Sequence, residues 1–170
     1  MFSAIGASRQ GPAVDRACPA AWLDEVVDAG KLKVLFLCTG NSCRSQMAEG
    51  FTRALKGELI EAHSAGIAPG KLDPRAVRAM AEEGIDISSQ LSKHLDELAG
   101  VDFDYVVTVC GHAHENCPVF PGRARIVHVP FDDPPALAAG EADDQQALQH
   151  YRRVRDEIGA FVLRLPDSLG

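Results

Sequence analysis

An unbroken apolar run, Val34–Leu37, leads straight into Cys38-Thr39-Gly40-Asn41-Ser42-Cys43-Arg44-Ser45, and then into Met47, Ala48, Phe51, Ala54 and Leu55 at helical spacing. A continuous run of that length fits a strand buried on both faces, the habit of parallel sheets. The chain must therefore pass from a buried strand into a helix through one tight turn. In a parallel sheet that edge is where ligands bind.

The rest of the chain repeats the alternation. Ile60–Ala65 reads as a second strand. Asp73-Pro74 starts a helix, with the acid at the cap and proline in the first turn; Val77, Met80 and Ala81 give its stripe and Gly84 its stop. Leu91, Leu95 and Leu98 suggest a short helix, and Tyr105–Val109 and Ile126–Val129 read as two further strands. Asp143-Asp144 precede a long helix carrying Leu148, Tyr151, Val154, Ile158, Phe161, Val162 and Leu165. Strands alternating with helices imply βαβ units, so the fold expected is α/β: a three-layer sandwich around a small parallel four-stranded sheet. Residues 31–170 form this one domain. Residues 1–30 differ, being rich in Gly, Ala, Ser and Pro until Trp22, Leu23, Val26 and Val27 form a short amphipathic stripe. They read as an irregular N-terminal extension ending in a short helix, or equally as a mobile tail.

Composition narrows the class of function. The chain has 170 residues, 46% of them hydrophobic and 24% charged, as in a globular protein. Lys+Arg 17 against Asp+Glu 24 gives a net charge of −7, which argues against nucleic acid or an anionic membrane as partner. The longest apolar run, Val34–Cys38, is far short of the ~18 residues of a membrane span. The first residues lack the charged and apolar regions of a signal peptide, so a cytoplasmic location is expected. In such a compartment Cys18, Cys38, Cys43, Cys110 and Cys117 are expected to be reduced at rest, which points to thiol chemistry or metal binding.

The loop supplies that chemistry. Gly40 and Asn41 tolerate the tight or left-handed backbone that turns successive N–H groups inward. With the positive end of the following helix, the N–H groups from Thr39 through Gly40, Asn41, Ser42 and Cys43 to Arg44 form a cradle for a tetrahedral oxyanion. Arg44, in C-x5-R spacing from Cys38, comes back over the cradle and can grip two oxygens. A thiol in that field is expected to be acidic, since such cysteines fall to a pKa of about 3.5–7.5. Ser45 adds a hydrogen bond to the thiolate.

Cys38–Gly50, CTGNSCRSQMAEG, resembles the phosphate-binding loop of the low-molecular-weight tyrosine phosphatase superfamily, and most of all its thioredoxin-coupled arsenate reductases. The resemblance runs from about Lys31 to Leu165. It includes Ser64-Ala65-Gly66, Phe131-Asp132-Asp133-Pro134 and Arg153-Val154-Arg155-Asp156-Glu157-Ile158. It implies arsenate as substrate, phosphate or sulfate as further loop ligands, and thioredoxin as reductant. In the implied scheme Cys38 attacks arsenic and Asp133, the carboxylate before the proline, protonates the leaving oxygen. Cys110 then attacks Cys38, arsenite leaves, and Cys117 attacks Cys110 to carry the disulfide to thioredoxin. Cys43 shares the loop with Cys38 and reads either as a partner in a protective disulfide under oxidation or as a packing residue at the start of the helix.

The residues themselves leave alternatives. Asp132 is the other candidate acid, and Asp-Asp-Pro-Pro is also ordinary turn chemistry. Cys110 and Cys117 read as a redox pair on a movable segment, as inert thiols, or, with His112 and His114, as a zinc site. The zinc spacing is tighter than usual. Some relatives hold potassium with a carboxylate at Glu49, Asn41, Ser64 and a further Asp. Where that Asp would fall stands Lys93, whose ammonium can replace the cation. No tightly bound cofactor is therefore expected, the potassium site is not carried over, and potassium dependence should be weak. A tyrosine phosphatase using Cys38, Arg44 and Asp133 is the competing enzyme, although Pro135 stands where an aromatic residue would stack on phosphotyrosine. A regulatory or zinc-binding protein on a retained fold is the non-catalytic reading, against which the full set of loop residues argues.

Overall fold

A computed structural model describes residues 30–115 and 123–170. The stripe at Trp22–Val27, Cys18 and Cys117 lie outside the described residues, as does the side chain of His114. In chain order the elements are β1 (Leu32–Cys38), α1 (Arg44–Lys56), β2 (Ile60–Gly66), α2 (Pro74–Glu82), a 3-10 turn (Leu95–Leu98) and β3 (Tyr105–Thr108). There follow α3 (Gly111–Glu115), β4 (Arg125–His128), α4 (Pro134–Ala138), α5 (Asp144–Leu163) and a 3-10 turn (Asp167–Leu169).

The four strands form one all-parallel sheet in the order β2-β1-β3-β4. Val34, Leu35, Phe36 and Leu37 are all fully buried, so both faces of β1 are covered by other layers. The expected α/β sandwich is thus the observed fold. The strand order also fixes the site. From β1 the chain moves to β2 on one side, and from β3 it moves to β4 on the other. The crevice of such a sheet lies at the carboxyl ends of the two strands where direction reverses. Cys38 ends β1, and Cys110 lies just past β3.

Local chemistry starts the helices where the sequence predicts. The Asp73 carboxylate accepts from Arg75 N–H at 2.8 Å and Pro74 occupies the first turn of α2; Gly84 follows with φ +75°. Asp143 caps α5 in the same way through Gln145 N–H at 2.9 Å. Leu148, Tyr151, Val154, Ile158, Phe161 and Val162 all face the core. Gly159 lets the Phe51 ring lie flat on α5, where an added Cβ would sit 3.2 Å from Phe51 Cζ.

Three expectations about side chains are corrected. On α1 only Ser45–Thr52 is buried, whereas Ala54 and Leu55 are exposed. The first two turns are enclosed from several sides, including by Ile87, and the last turn runs free of that cover. On α2 the buried residues are Ala76, Ala79 and Met80, while Val77 is half-buried and Ala81 exposed. The helix expected from Leu91 to Leu98 is only the turn Leu95–Leu98, with Leu91 exposed. Two helical turns were not foreseen. Gly111–Glu115 reads as a polar linker because Ala113 is its one aliphatic residue, and Asp133-Pro134-Pro135 starts a helix with the same residues that make a turn.

Candidate active site

The loop after β1 is held open from outside. A backbone carbonyl pointing into an anion site would repel the anion, so where the carbonyls go decides what the loop can bind. Cys38 O accepts from Ile67 N–H at 3.3 Å, Thr39 O from Ala68 N–H at 2.9 Å and Gly40 O from Gly70 N–H at 2.8 Å. Ser42 O accepts from Asp73 N–H at 2.9 Å, and Cys43 O from Met47 N–H inside α1. The Ser92 hydroxyl reaches Gly40 O at 3.1 Å and Asn41 O at 2.8 Å. Each carbonyl from Cys38 to Cys43 is thus engaged away from the cradle. Carbonyls engaged in this way do not compete with an anion for the loop, which is what an oxyanion site needs.

Asn41 sets the turn. Its φ of 45° is left-handed, a conformation that asparagine tolerates better than most residues. Its fully buried side chain donates to Ser45 Oγ and Ser64 Oγ, both at 2.9 Å, and accepts from Lys93 N–H at 2.9 Å and Gln46 Nε2 at 3.2 Å. Ser45 Oγ, which accepts from Asn41, also lies within hydrogen-bond distance of Cys38 Sγ, 2.9 Å away. The Asn41 N–H donates to the same sulfur at 3.0 Å.

Cys38 is 3% exposed, and burial pushes its thiol up from the ordinary value. The Ser45 and Asn41 hydrogen bonds and the Arg44 charge pull it down without cancelling the rise, and Cys110 adds to it. Burial thus works against the acidity expected from the loop's composition. Arg44 also has partners outside the loop. Its guanidinium donates to Phe131 O at 2.9 Å and pairs with Asp133 at 3.0 Å, and that carboxylate offsets its charge. Asp132 instead pairs with Arg153 at 2.8 Å. Of the two candidate acids, only Asp133 meets the loop.

The second thiol is close by. Cys110 is 5% exposed, with Sγ 3.4 Å from Thr39 Oγ1 and 3.4 Å from Ala113 N–H. Cys38, Cys43 and Cys110 are all free thiols. Cys43 is buried, and burial followed by the nearby Asp73 charge pushes its thiol well up. Among the described residues no group of three His, Cys, Asp or Glu is arranged to hold a metal ion. The potassium ligands do not fit that ion in this chain: buried Glu49 accepts from Ser64 Oγ and is paired with Arg53, and Lys93 Nζ stands 3.6 Å from it.

Several residues that build the site carry no motif signal. Ser92 acts on the loop from a distant segment. Tyr151 donates to Asp73 at 2.7 Å, fixing the residue that holds Ser42. Gly66 was visible within Ser64-Ala65-Gly66, but its reason was not: a Cβ there would lie 2.6 Å from Thr39 O.

Residues 33–169 match the family described as low molecular weight phosphotyrosine protein phosphatase. An arsenate reductase of Halalkalibacterium halodurans is 49% identical over 132 residues, 78% of this chain and 93% of that protein. One of Bacillus subtilis is 48% identical over 126 residues, 74% of this chain and 88% of that protein. A solved structure described as an arsenate reductase in the phosphate binding state superposes with a TM-score of 0.64 at 33% identity, covering 82% of this chain and 99% of its own. Among the described residues no helix is long and apolar enough to cross a membrane. By loop, sheet and sequence alike, the chain belongs to the low molecular weight phosphotyrosine protein phosphatase family.

Proposed function

We propose that the chain is an arsenate reductase working through Cys38, Cys110 and Cys117, recycled by thioredoxin in the cytoplasm, with residues 31–170 carrying the chemistry and 1–30 an extension. The observation that carries this reading is Cys110. A second buried thiol stands at the mouth of the loop, sharing the Thr39 hydroxyl with it. A phosphatase using Cys38, Arg44 and Asp133 has no use for that thiol, whereas reduction of arsenate needs two electrons that one cysteine cannot give. The relatives' names support the same substrate, and the phosphate-bound neighbour supports an oxyanion of that shape.

In this reading the N–H groups of Thr39–Arg44 take arsenate, with phosphate or sulfate as competitors. Binding draws Arg44 from Asp133 to the oxyanion and so frees the carboxyl group. The Cys38 thiolate attacks arsenic, and Asp133 protonates the oxygen that leaves as water. The Cys110 thiolate then attacks Cys38 Sγ. The S–As bond breaks with its electron pair on arsenic, which leaves as arsenite, and a Cys38–Cys110 disulfide remains. Cys117 attacks Cys110, restoring the Cys38 thiolate, and thioredoxin reduces the Cys110–Cys117 bond.

The Arg44–Asp133 pair equally suits phosphate-ester hydrolysis, the second reading. Disulfide mapping separates the two. Reduced Cys117→Ser protein treated with arsenate is expected to yield arsenite and a Cys38–Cys110 disulfide in equal amounts. Unchanged thiols, together with hydrolysis of a small aryl phosphate that is indifferent to Cys110→Ser, would favour the phosphatase.

A further inference from the structure

We propose that His112 takes the proton of the Cys110 thiol through the Thr39 hydroxyl, arming Cys110 for its attack on Cys38. The inference rests on the reductase reading and adds a residue to it. Thr39 Oγ1 stands between the two groups, 3.4 Å from Cys110 Sγ and 3.3 Å from His112 Nδ1. A hydroxyl has one proton and two lone pairs. With Nδ1 unprotonated, that proton lies toward the imidazole and a lone pair faces the thiol.

The surroundings explain why a relay is needed. Cys110 is 5% exposed, so bulk water has little access to its proton. His112 is exposed, so a proton delivered there passes on to solvent. Once Cys110 is ionised, the Ala113 N–H, already directed at its sulfur from 3.4 Å, receives the thiolate. Ala113 is fully buried and keys this turn to the body of the domain.

The step balances. The Cys110 thiol proton moves to Thr39 Oγ1 as the Thr39 proton moves to His112 Nδ1, giving a thiolate and an imidazolium. The thiolate forms the S–S bond to Cys38, and the S–As electron pair leaves with arsenic. Together the two sulfurs lose two electrons and arsenic gains them.

Single-turnover arsenite release, measured by quench without thioredoxin, tests the inference on wild type, His112→Ala and His112→Asn. General-base loss typically lowers a rate by about 10²–10⁴-fold. Both variants are expected to slow the burst by roughly 10²-fold on that scale, with Cys38 alkylated at the wild-type rate and free imidazole restoring part of the His112→Ala rate. Asparagine can still hydrogen-bond Thr39 but cannot accept a proton, so recovery by His112→Asn alone would overturn the inference in favour of simple positioning. A wild-type burst in His112→Ala would overturn it outright while leaving the reductase reading intact. No arsenite from the wild type would overturn that reading and this inference with it.

Discussion

Arg44 and Asp133 form an ion pair of 3.0 Å, with Arg44 also donating to Phe131 O at 2.9 Å. The side chain proposed to grip the oxyanion and the proposed acid are thus held by each other. Asp133→Ala should leave phosphate binding near or above the wild-type level, because it releases Arg44. It should cut turnover by about 10²–10⁴-fold, the usual worth of general acid catalysis. Arg44→Lys should lose both binding and rate, since a point charge cannot replace the planar fork. Calorimetric phosphate titration beside steady-state assays separates the two effects.

The Ser45 hydroxyl, 2.9 Å from Cys38, offers the buried thiolate a hydrogen bond. Burial already raises the Cys38 thiol and Ser45 opposes that rise, so Ser45→Ala should move the titration further up, not down. A hydrogen bond to a charged group is worth about 1.5–3 kcal/mol. At about 1.4 kcal/mol per pH unit, the shift is about 1–2 units. Iodoacetamide alkylation of Cys38 followed against pH reads it directly.

Cys43 is raised well above the ordinary thiol value of 9.0, and Cys38 is raised too. In the folded state both hold their protons to higher pH than in the unfolded chain. Their contribution to stability is therefore complete below about pH 9 and is lost as pH rises through the folded values. Thermal melts should show stability falling more steeply above pH 9 in the wild type than in Cys43→Ala. Parallel curves would contradict this.

Ser92 touches no reacting atom, yet it holds Gly40 O and Asn41 O. Ser92→Ala should weaken phosphate binding by roughly 10-fold, on the scale of one or two lost neutral hydrogen bonds. Gly66→Ala should do more. Its Cβ meets Thr39 O at 2.6 Å and Asn41 N at 3.0 Å, so the loop itself must shift. Overpacking of this kind costs about 1–3 kcal/mol. Both variants can be compared by phosphate affinity and by melting temperature.

The sheet, the loop and the starts of α2 and α5 were legible because local residues specify them: an unbroken apolar strand, Asp-Pro and Asp at the caps, and Gly-Asn at the turn. That Asp133, and not Asp132, meets the loop agrees with the motif. The direction of Arg44 was not legible, since only the fold brings Phe131 O to it. The same is true of the raised Cys38 thiol, which depends on how deeply the packed domain buries it. Ser92 and Tyr151 act across long sequence separations and look like ordinary polar residues in the chain. The exposed last turn of α1 was misread because helical spacing alone does not reveal where a neighbouring layer ends.

The central claim is that the chain's own thiols reduce arsenate, and its most direct test is arsenate-dependent NADPH oxidation with thioredoxin and thioredoxin reductase. Wild type, Cys110→Ser and Cys117→Ser are compared side by side. Steady turnover in the wild type is expected, with no arsenite from Cys110→Ser and a single turnover from Cys117→Ser. Sustained turnover by Cys110→Ser, or none by the wild type, would contradict the account.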